Sequence, residues 1–285
     1  MALTINTNIS SMVAQRNLSK ATGSLNQAIE RMTTGYKINH AGDNAAGYSI
    51  ARNWETQLGS LNVAADNAAM GADMLQTLED HYSLVANHVQ RVRDLTEQAA
   101  NGTYGADSLA AIKSEITARL NEIDRIAANC EYNGKHLMDG TQSSADINLQ
   151  VGLYSGTDSQ IKLDKSLFAS AKVSTLMSAI GADVTAVATA CSGSSAAAQL
   201  DKLDTVLKNI STRATTLGAA QNRVDSAIES IAVQSENITS SLSTLRDADV
   251  AEESSRYIQS QILQQAAATL LSTANQTPSI ALNLI

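Results

Sequence analysis

The sequence predicts a mainly α fold: a long antiparallel helical bundle of coiled-coil character, formed by the N- and C-terminal segments, with a small β-hairpin region at its distal tip. Three observations predict it. The 285 residues are 44% apolar but only 3% aromatic, with one Trp and one Phe. Burial must then come from Ala, Leu, Ile and Val, which suit narrow helix seams better than a thick globular core. The chain contains a single proline, Pro278, and proline is the residue that helix interiors exclude most strongly. Long stretches also place apolar side chains at alternating steps of three and four, the spacing of a helical seam.

The first segment places Leu18, Thr22, Leu25, Ile29, Met32 and Tyr36 on such a heptad. After a loop from His40 to Gly47 the pattern resumes at Trp54, Leu58, Leu61, Ala65, Ala68, Ala72 and Leu75, then shifts one step to Leu78, Tyr82, Val85, Val89, Val92 and Leu95. A third segment carries Leu109, Ile112, Ile116, Leu120, Ile123 and Ile126. It follows the turn-like NGTYGADS, in which Asp107 or Ser108 is the expected cap. The stretch ADINLQVGLYSGTDSQIKLD alternates Ile147, Leu149 and Val151, then Ile161 and Leu163, about a Gly/Ser/Asp turn, the pattern of a β-hairpin over about 145–165. Residues 169–198 are rich in Ala, Ser and Thr and read as a short low-complexity tip or linker.

The heptad then returns without a slip through Leu203, Leu207, Ile210, Ala214, Leu217, Gln221, Val224, Ile228, Ile231, Ser235, Ile238, Leu242 and Leu245. So regular a seam needs a partner, which the earlier long helices supply by folding back. A last helix, opened by Asp247 or Asp249, aligns Ile258, Ile262, Ala266 and Leu270 beside Leu263, Ala267 and Leu271. The first residues offer a matching stripe of Ile5, Ile9, Met12 and Val13. Pro278 is expected to end the last helix near Gln276, leaving a short apolar hook. The expected domains are 1–43 with 247–285, then 44–168 with 199–246, and the tip.

A net charge of −8 and an isoelectric point near 5.0 argue against nucleic acid, whose phosphates call for clustered Lys and Arg, and against an anionic membrane surface. No cleavable secretory signal is expected in MALTINTNIS, which lacks a basic region followed by an apolar run. The tail is too often interrupted by Ser, Thr, Asn and Gln for a membrane anchor. GDNAAGYS spaces two glycines like a phosphate-binding loop, but Tyr48 stands where that motif needs Lys. A turn between helices is the better reading. His81 and His88 share a helix face but lie roughly 10.5 Å apart at about 1.5 Å rise per residue, too far for one zinc. No HExxH or GxSxG motif or Cys/His cluster occurs, so neither an enzyme nor a cofactor is expected. Cys130 and Cys191 are read as free thiols.

One polar cluster remains, HVQRVRDLTEQAANGTYG with IKSEITARLNEIDR. Arg91, Asp94 and Gln98 point away from the seam, with Lys113, Glu115 and Arg119 opposite. Residue types alone allow a solvated, salt-bridged surface or a docking face for a protein.

The chain resembles the bacterial flagellins. The likeness rests on IERMTTGYKINHAGDNAAGYSIA, QRVRDLTEQAANGTY, EITARLNEIDRIAANCEYNG, LGAAQNRVDSAI and SQILQQAAATLLSTANQTP. These stand in the family's order and cover nearly everything before residue 140 and after 203. The resemblance implies a subunit that polymerises into the flagellar filament, with paired termini as an inner core and the long helices as an outer core. Only the short tip replaces the family's larger surface insert, a core-only form. It implies secretion through the type III export apparatus to an extracellular filament, and partners among the export chaperone, the filament cap and the hook-junction proteins. It also implies recognition by the innate Toll-like receptor for flagellin, through Gln90, Arg91, Leu95, Gln98 and Glu115. Asp94 stands where Glu is common, and the closing Asn-Leu-Ile departs from the family's usual Leu-Leu-Arg. The expected self-assembly seam comprises Ile5, Ile9, Met12, Ile258, Ile262, Leu263, Ala266, Leu270 and Leu271. Two alternatives stand beside the filament subunit. One is a hook–filament junction protein, which shares the terminal pattern. The other is a flagellin carrying a zinc protease, which the missing HExxH and short insert oppose.

Overall fold

The computed structural model describes the backbone of residues 7–178 and 193–282, and side chains within 7–178 and 195–276. Among the described residues there are six α-helices: α1 (Ile9–Thr34), α2 (Ala45–Ala100), α3 (Ala106–Asn129), α4 (Val173–Ser178), α5 (Gly193–Arg246) and α6 (Val250–Leu282). Two short antiparallel hairpins lie between α3 and α4: β1 (Glu131–Tyr132) with β2 (Lys135–His136), and β3 (Ile147–Gln150) with β4 (Gln160–Leu163). The chain forms two compact units, Met1–Leu58 with Glu236–Ile285, and Gly59–Ser235. The boundary therefore falls inside α2 and α5.

In the second unit the heptads of α2, α3 and α5 face inward. Leu61, Ala68, Leu75, Leu78, Tyr82, Val85, Val89, Val92 and Leu95 of α2 are buried, as are Ile112 to Ile126 of the α3 seam and Leu203, Ile210, Leu217, Val224 and Ile231 of α5. Each fully buried aliphatic side chain of this kind contributes ~1.5–3 kcal/mol. Polar groups fix the helices in register. Gln221 Nε2 donates to Glu79 Oε2 at 2.8 Å, and Arg93 pairs with Asp204.

The β3–β4 hairpin has the expected alternation, with Ile147 opposite Leu163 and Leu149 opposite Ile161. The first hairpin is an addition to the sequence reading. Its turn is Asn133–Gly134, with φ of 48° and 77°. Asn and Gly are the residues that two-residue hairpin loops favour, because both central positions need positive φ.

Residues 169–178 are not a low-complexity tip. Ala171, Val173, Leu176 and Met177 are buried, and the segment, with Leu167 just before it, is pinned at several points. Tyr82 Oη donates to Leu167 O at 3.0 Å, Arg213 Nη1 donates to Ala169 O and Ser170 O at 3.1 and 3.2 Å, and Val173 N donates to Asp124 Oδ1 at 2.7 Å. The pins come from α2, α3 and α5, and so are invisible to local composition. At the other side of the tip, α5 begins at Gly193, and Ala196 and Gln199 are buried. Residues 179–192, including Cys191, lie outside the described residues.

Helix ends show further differences. α3 starts after Gly105, without a side-chain cap, and Asp107 sits in its first turn rather than at the cap. There the carboxylate still favours the positive end of the helix dipole. α2 begins at Ala45, with Asn44 Oδ1 accepting from Gly47 N at 3.0 Å, so the GDNAAGYS loop is a capped turn between helices. Asp249 does open α6, accepting from Ala251 N at 2.8 Å. Pro278 does not close it, because α6 continues to Leu282.

Cys130 is a free thiol with no exposed surface. Burial pushes its pKa up to about 11 from the ordinary 9.0. The folded chain thus holds a proton that the unfolded chain releases, and this contribution to stability is lost as pH climbs from the lower value through the higher. Iodoacetamide at pH 8 should leave Cys130 unlabelled in the native chain and alkylate it in denaturant, as peptide mass spectrometry would read. Equal labelling in both states would contradict its burial.

Candidate assembly interface

The first unit is built on the antiparallel pair of α1 and α6. Its seam is regular but made of small or polar residues. Ala14, Ala21 and Ala28 are buried on α1, with Leu18 and Leu25 partly covered between them. From α6 come Glu253, Ser260 and Ala267, buried, with Tyr257, Gln264, Leu271 and Ala274 partly covered. Both sets run at steps of three and four. The expected heptad shared Leu18 and Leu25 but used Thr22 and Ile29 where the structure uses Ala21 and Ala28, one residue away. Large side chains mark a stripe more visibly than alanine does, yet alanine lets two helix backbones approach closely.

That choice sends the large apolar side chains outward. Ile9 is 67% exposed, Met12 62%, Ile258 54%, Ile262 60%, Leu263 53% and Leu270 64%. Ala266 is also exposed, Leu271 is half-buried, and Ile5 lies outside the described residues. A groove of about 600 Å³ runs beside the seam, bounded by Lys20, Arg31, Arg256, Leu263 and Leu270 among others. Its lining mixes these charged side chains with Leu263 and Leu270.

Polar contacts hold the pair in register along its length. Arg31 Nη1 lies 3.2 Å from Glu253 Oε1, whose side chain is only 7% exposed. Gln264 Nε2 donates to Thr22 Oγ1 at 3.1 Å. Near the chain ends Asn8 Nδ2 donates to Ala274 O at 2.7 Å, and Ser11 Oγ to Asn275 Oδ1 at 2.7 Å. At the opposite end of the pair, the two interhelical turns are clipped together. Gly35 ends α1 at a φ of 75°, a left-handed cap that glycine adopts freely. Ala248 N donates to Gly35 O at 2.8 Å and Lys37 N to Arg246 O at 2.7 Å. The Arg246 guanidinium pairs with Glu55, donates to Ile38 O, and stacks 4.2 Å from the Tyr36 ring centroid. Asp43 braces the same turn. The backbone N–H groups of His40 and Asn39, with Gln27 and Arg31 nearby, hold its carboxyl below the usual range against the opposing effect of burial.

The second candidate face lies on α2 and α3. Gln90, Arg91 and Gln98 are exposed, and Arg91 Nε lies 3.0 Å from Glu115 Oε1. Arg119 adds a longer contact to Glu115 at 3.7 Å, and Gln90 donates to Asp94. Leu95 is 2% exposed and belongs to the core beneath this face. Exposed pairs of this kind stabilise the fold little, by about 0–1 kcal/mol. Among the described residues no three His, Cys, Asp or Glu side chains converge as metal ligands. No helix there is long and apolar enough to cross a membrane.

Two family models divide the chain between them. The bacterial flagellin N-terminal helical region matches residues 5–143, and the bacterial flagellin C-terminal helical region matches residues 200–285. The chain belongs to the bacterial flagellin family. This flagellin is 32% identical to the flagellin of Halalkalibacterium halodurans over 282 residues, covering 99% of both chains. It is 31% identical to that of Bacillus subtilis, again over 99% of each. Among solved structures, a protein described as a flagellar hook-associated protein from Vibrio parahaemolyticus matches with a TM-score of 0.59. That match covers 72% of this chain and 100% of the other at 14% identity, a likeness of fold alone. Family membership makes the protein a structural subunit of the flagellar filament, with self-association as its activity and no catalysis.

The alanine seam has a measurable consequence. Ala21→Leu should lower the stability of the helix pair by about 1–3 kcal/mol, the cost of overpacking a close seam, read as earlier melting of assembled filaments. Ala21→Ser, which keeps the volume, should melt with wild type.

Proposed function

We propose that the exposed apolar stripes of α1 and α6 are the surfaces through which one subunit binds the next. Ile9 and Met12 on α1, with Ile258, Ile262, Leu263, Ala266 and Leu270 on α6, form contacts between copies; half-buried Leu271 joins them at the edge of the seam, and Ile5, outside the described residues, is assigned to the same set from sequence spacing alone. The single observation that carries this reading is the division of labour in the first unit: the fully buried seam positions are small or polar, while most of the large apolar side chains on these helices face out. Burying one such side chain against a neighbour returns ~1.5–3 kcal/mol. Repeated along a polymer, this favours assembly over the free chain.

The same division suits export in an unfolded state through the flagellar type III apparatus. A seam of alanines buries little apolar area, so the pairing of the two long ends is weak and costs little to undo for passage. Before assembly the α6 stripe calls for cover, which fits an export chaperone. At the filament's ends, the cap and the hook-junction proteins take the place of neighbouring subunits. Full-length likeness to curated flagellins favours the filament subunit over a junction protein.

A further role rests on the α2–α3 face. Gln90, Arg91, Gln98 and Glu115 form a docking face for the innate Toll-like receptor for flagellin, with Leu95 supporting it from below. What supports this is their common exposure beside the Arg91–Glu115 pair, in a stretch whose residues match the family's motif.

Removal of residues 257–285 should leave a chain that stays monomeric when seeded, since it lacks the whole α6 stripe. Filaments of the truncated chain in electron micrographs would overturn the interface. Arg91→Ala should weaken receptor binding while filament yield stays unchanged; wild-type affinity in the variant would remove the receptor role.

A further inference from the structure

α6 runs through a proline, and the reason lies at the other end of the chain. In an α-helix the N–H of each residue donates to the carbonyl four residues earlier. Proline has no N–H, so the carbonyl of Ala274 cannot receive its bond from position 278. From sequence this argues for a helix end near Gln276, yet the helix extends to Leu282. The missing donor is replaced from outside: Asn8 Nδ2 donates to Ala274 O at 2.7 Å in a part-buried contact between residues 266 positions apart. The same amide also starts α1. As its N-cap, Asn8 accepts from Ser11 N through Oδ1 at 3.0 Å. One side chain thus opens the first helix with its oxygen and completes the last with its nitrogen. Ser11 Oγ on Asn275 Oδ1, one turn along, adds a second tie at the same level.

We propose that Asn8 is a positioning residue that couples the ordering of the two chain ends. The final turn of α6, beyond Pro278, is stable only when the start of α1 is docked beside it. An isolated C-terminal end carries an orphaned carbonyl at Ala274 and tends to fray at the proline. Docking of α1 removes that defect, so both ends become ordered in one step. A chain with a missing or mispaired N-terminal end then fails to present its last helical turn to a neighbour, which makes the contact a check on correct pairing during assembly. The effect on assembly rests on the proposed subunit interface; the coupling itself does not.

The test separates the two jobs of the amide. Asn8→Ser keeps a good N-cap acceptor, but its hydroxyl stops one bond short of the position of Nδ2. Pro278→Ala restores a backbone donor to Ala274 O from within α6. Two quantities are measured for wild type, Asn8→Ser, Pro278→Ala and the double variant: the critical concentration for seeded polymerisation, and amide hydrogen exchange of residues 279–282. Asn8→Ser should raise the critical concentration about fivefold, the effect of one part-buried hydrogen bond, and speed exchange in the last turn. Adding Pro278→Ala should abolish both effects, leaving the double variant level with Pro278→Ala alone. If Asn8→Ser behaves as wild type, or costs as much in the Pro278→Ala background as in the wild-type one, the coupling is wrong. Failure of the wild-type chain to polymerise would instead count against the subunit interface. The exchange comparison, made on the soluble chain, still decides the coupling: equal exchange in wild type and Asn8→Ser overturns it.

Discussion

The first unit depends on the close approach of α1 and α6, and that approach depends on side-chain size. A helix has one face to give to a partner in its own chain. Here that face is given to Ala14, Ala21 and Ala28 against Glu253, Ser260 and Ala267. The backbones can come near each other, and polar ties such as Gln264 to Thr22 and Arg31 to Glu253 then fix their register. Little apolar area is buried in the process. The larger share of the apolar surface on these two helices stays outside, where only another molecule can cover it. Weak pairing within the chain and strong pairing between chains therefore arise from one arrangement. It suits a flagellin, a subunit whose activity is to associate with copies of itself.

The second unit solves its problem differently. Its helices bury Leu, Ile and Val on continuous heptads, and the single Phe, Phe168, is fully covered with Tyr82 and Met177. The irregular segment between β4 and α4 is held by hydrogen bonds from side chains of three helices rather than by any regularity of its own. Tyr82 shows how tightly this is arranged. Burial raises its pKa, Arg213 works against that rise, and its hydroxyl is used on the carbonyl of Leu167.

Burial and periodicity agree in α2, α3 and α5. There the inward positions are also the large apolar ones, so the heptads of Leu78 to Leu95, Ile112 to Ile126 and Leu203 to Leu245 could be read directly. They part in α1, where the inward column is alanine, and Thr22 and Ile29 beside it made the more visible stripe. EYNGKH carried a turn signal in Asn133–Gly134 that marks the first hairpin, short as its strands are. The exposure of Arg91 beside Glu115 followed from helical spacing, while the burial of Leu95 followed from its place on the same seam, a tension within one set of candidate residues.

By itself, the sequence determined the class of fold, the family, and the positions of the long helices, because periodicity and the near absence of proline are properties of the chain alone. It also determined that both ends carry more large apolar side chains than one narrow seam can hold. Tertiary structure alone decided which face of α1 meets α6, how residues 169–178 are held, and whether the last helix survives Pro278. Each of these turns on a partner far away in sequence: Ala21 on the α6 face, Ala169 on Arg213, Ala274 on Asn8. No local pattern encodes such a partner, because a hydrogen-bond acceptor or a close-packed alanine looks the same along the chain whether or not something is there to meet it.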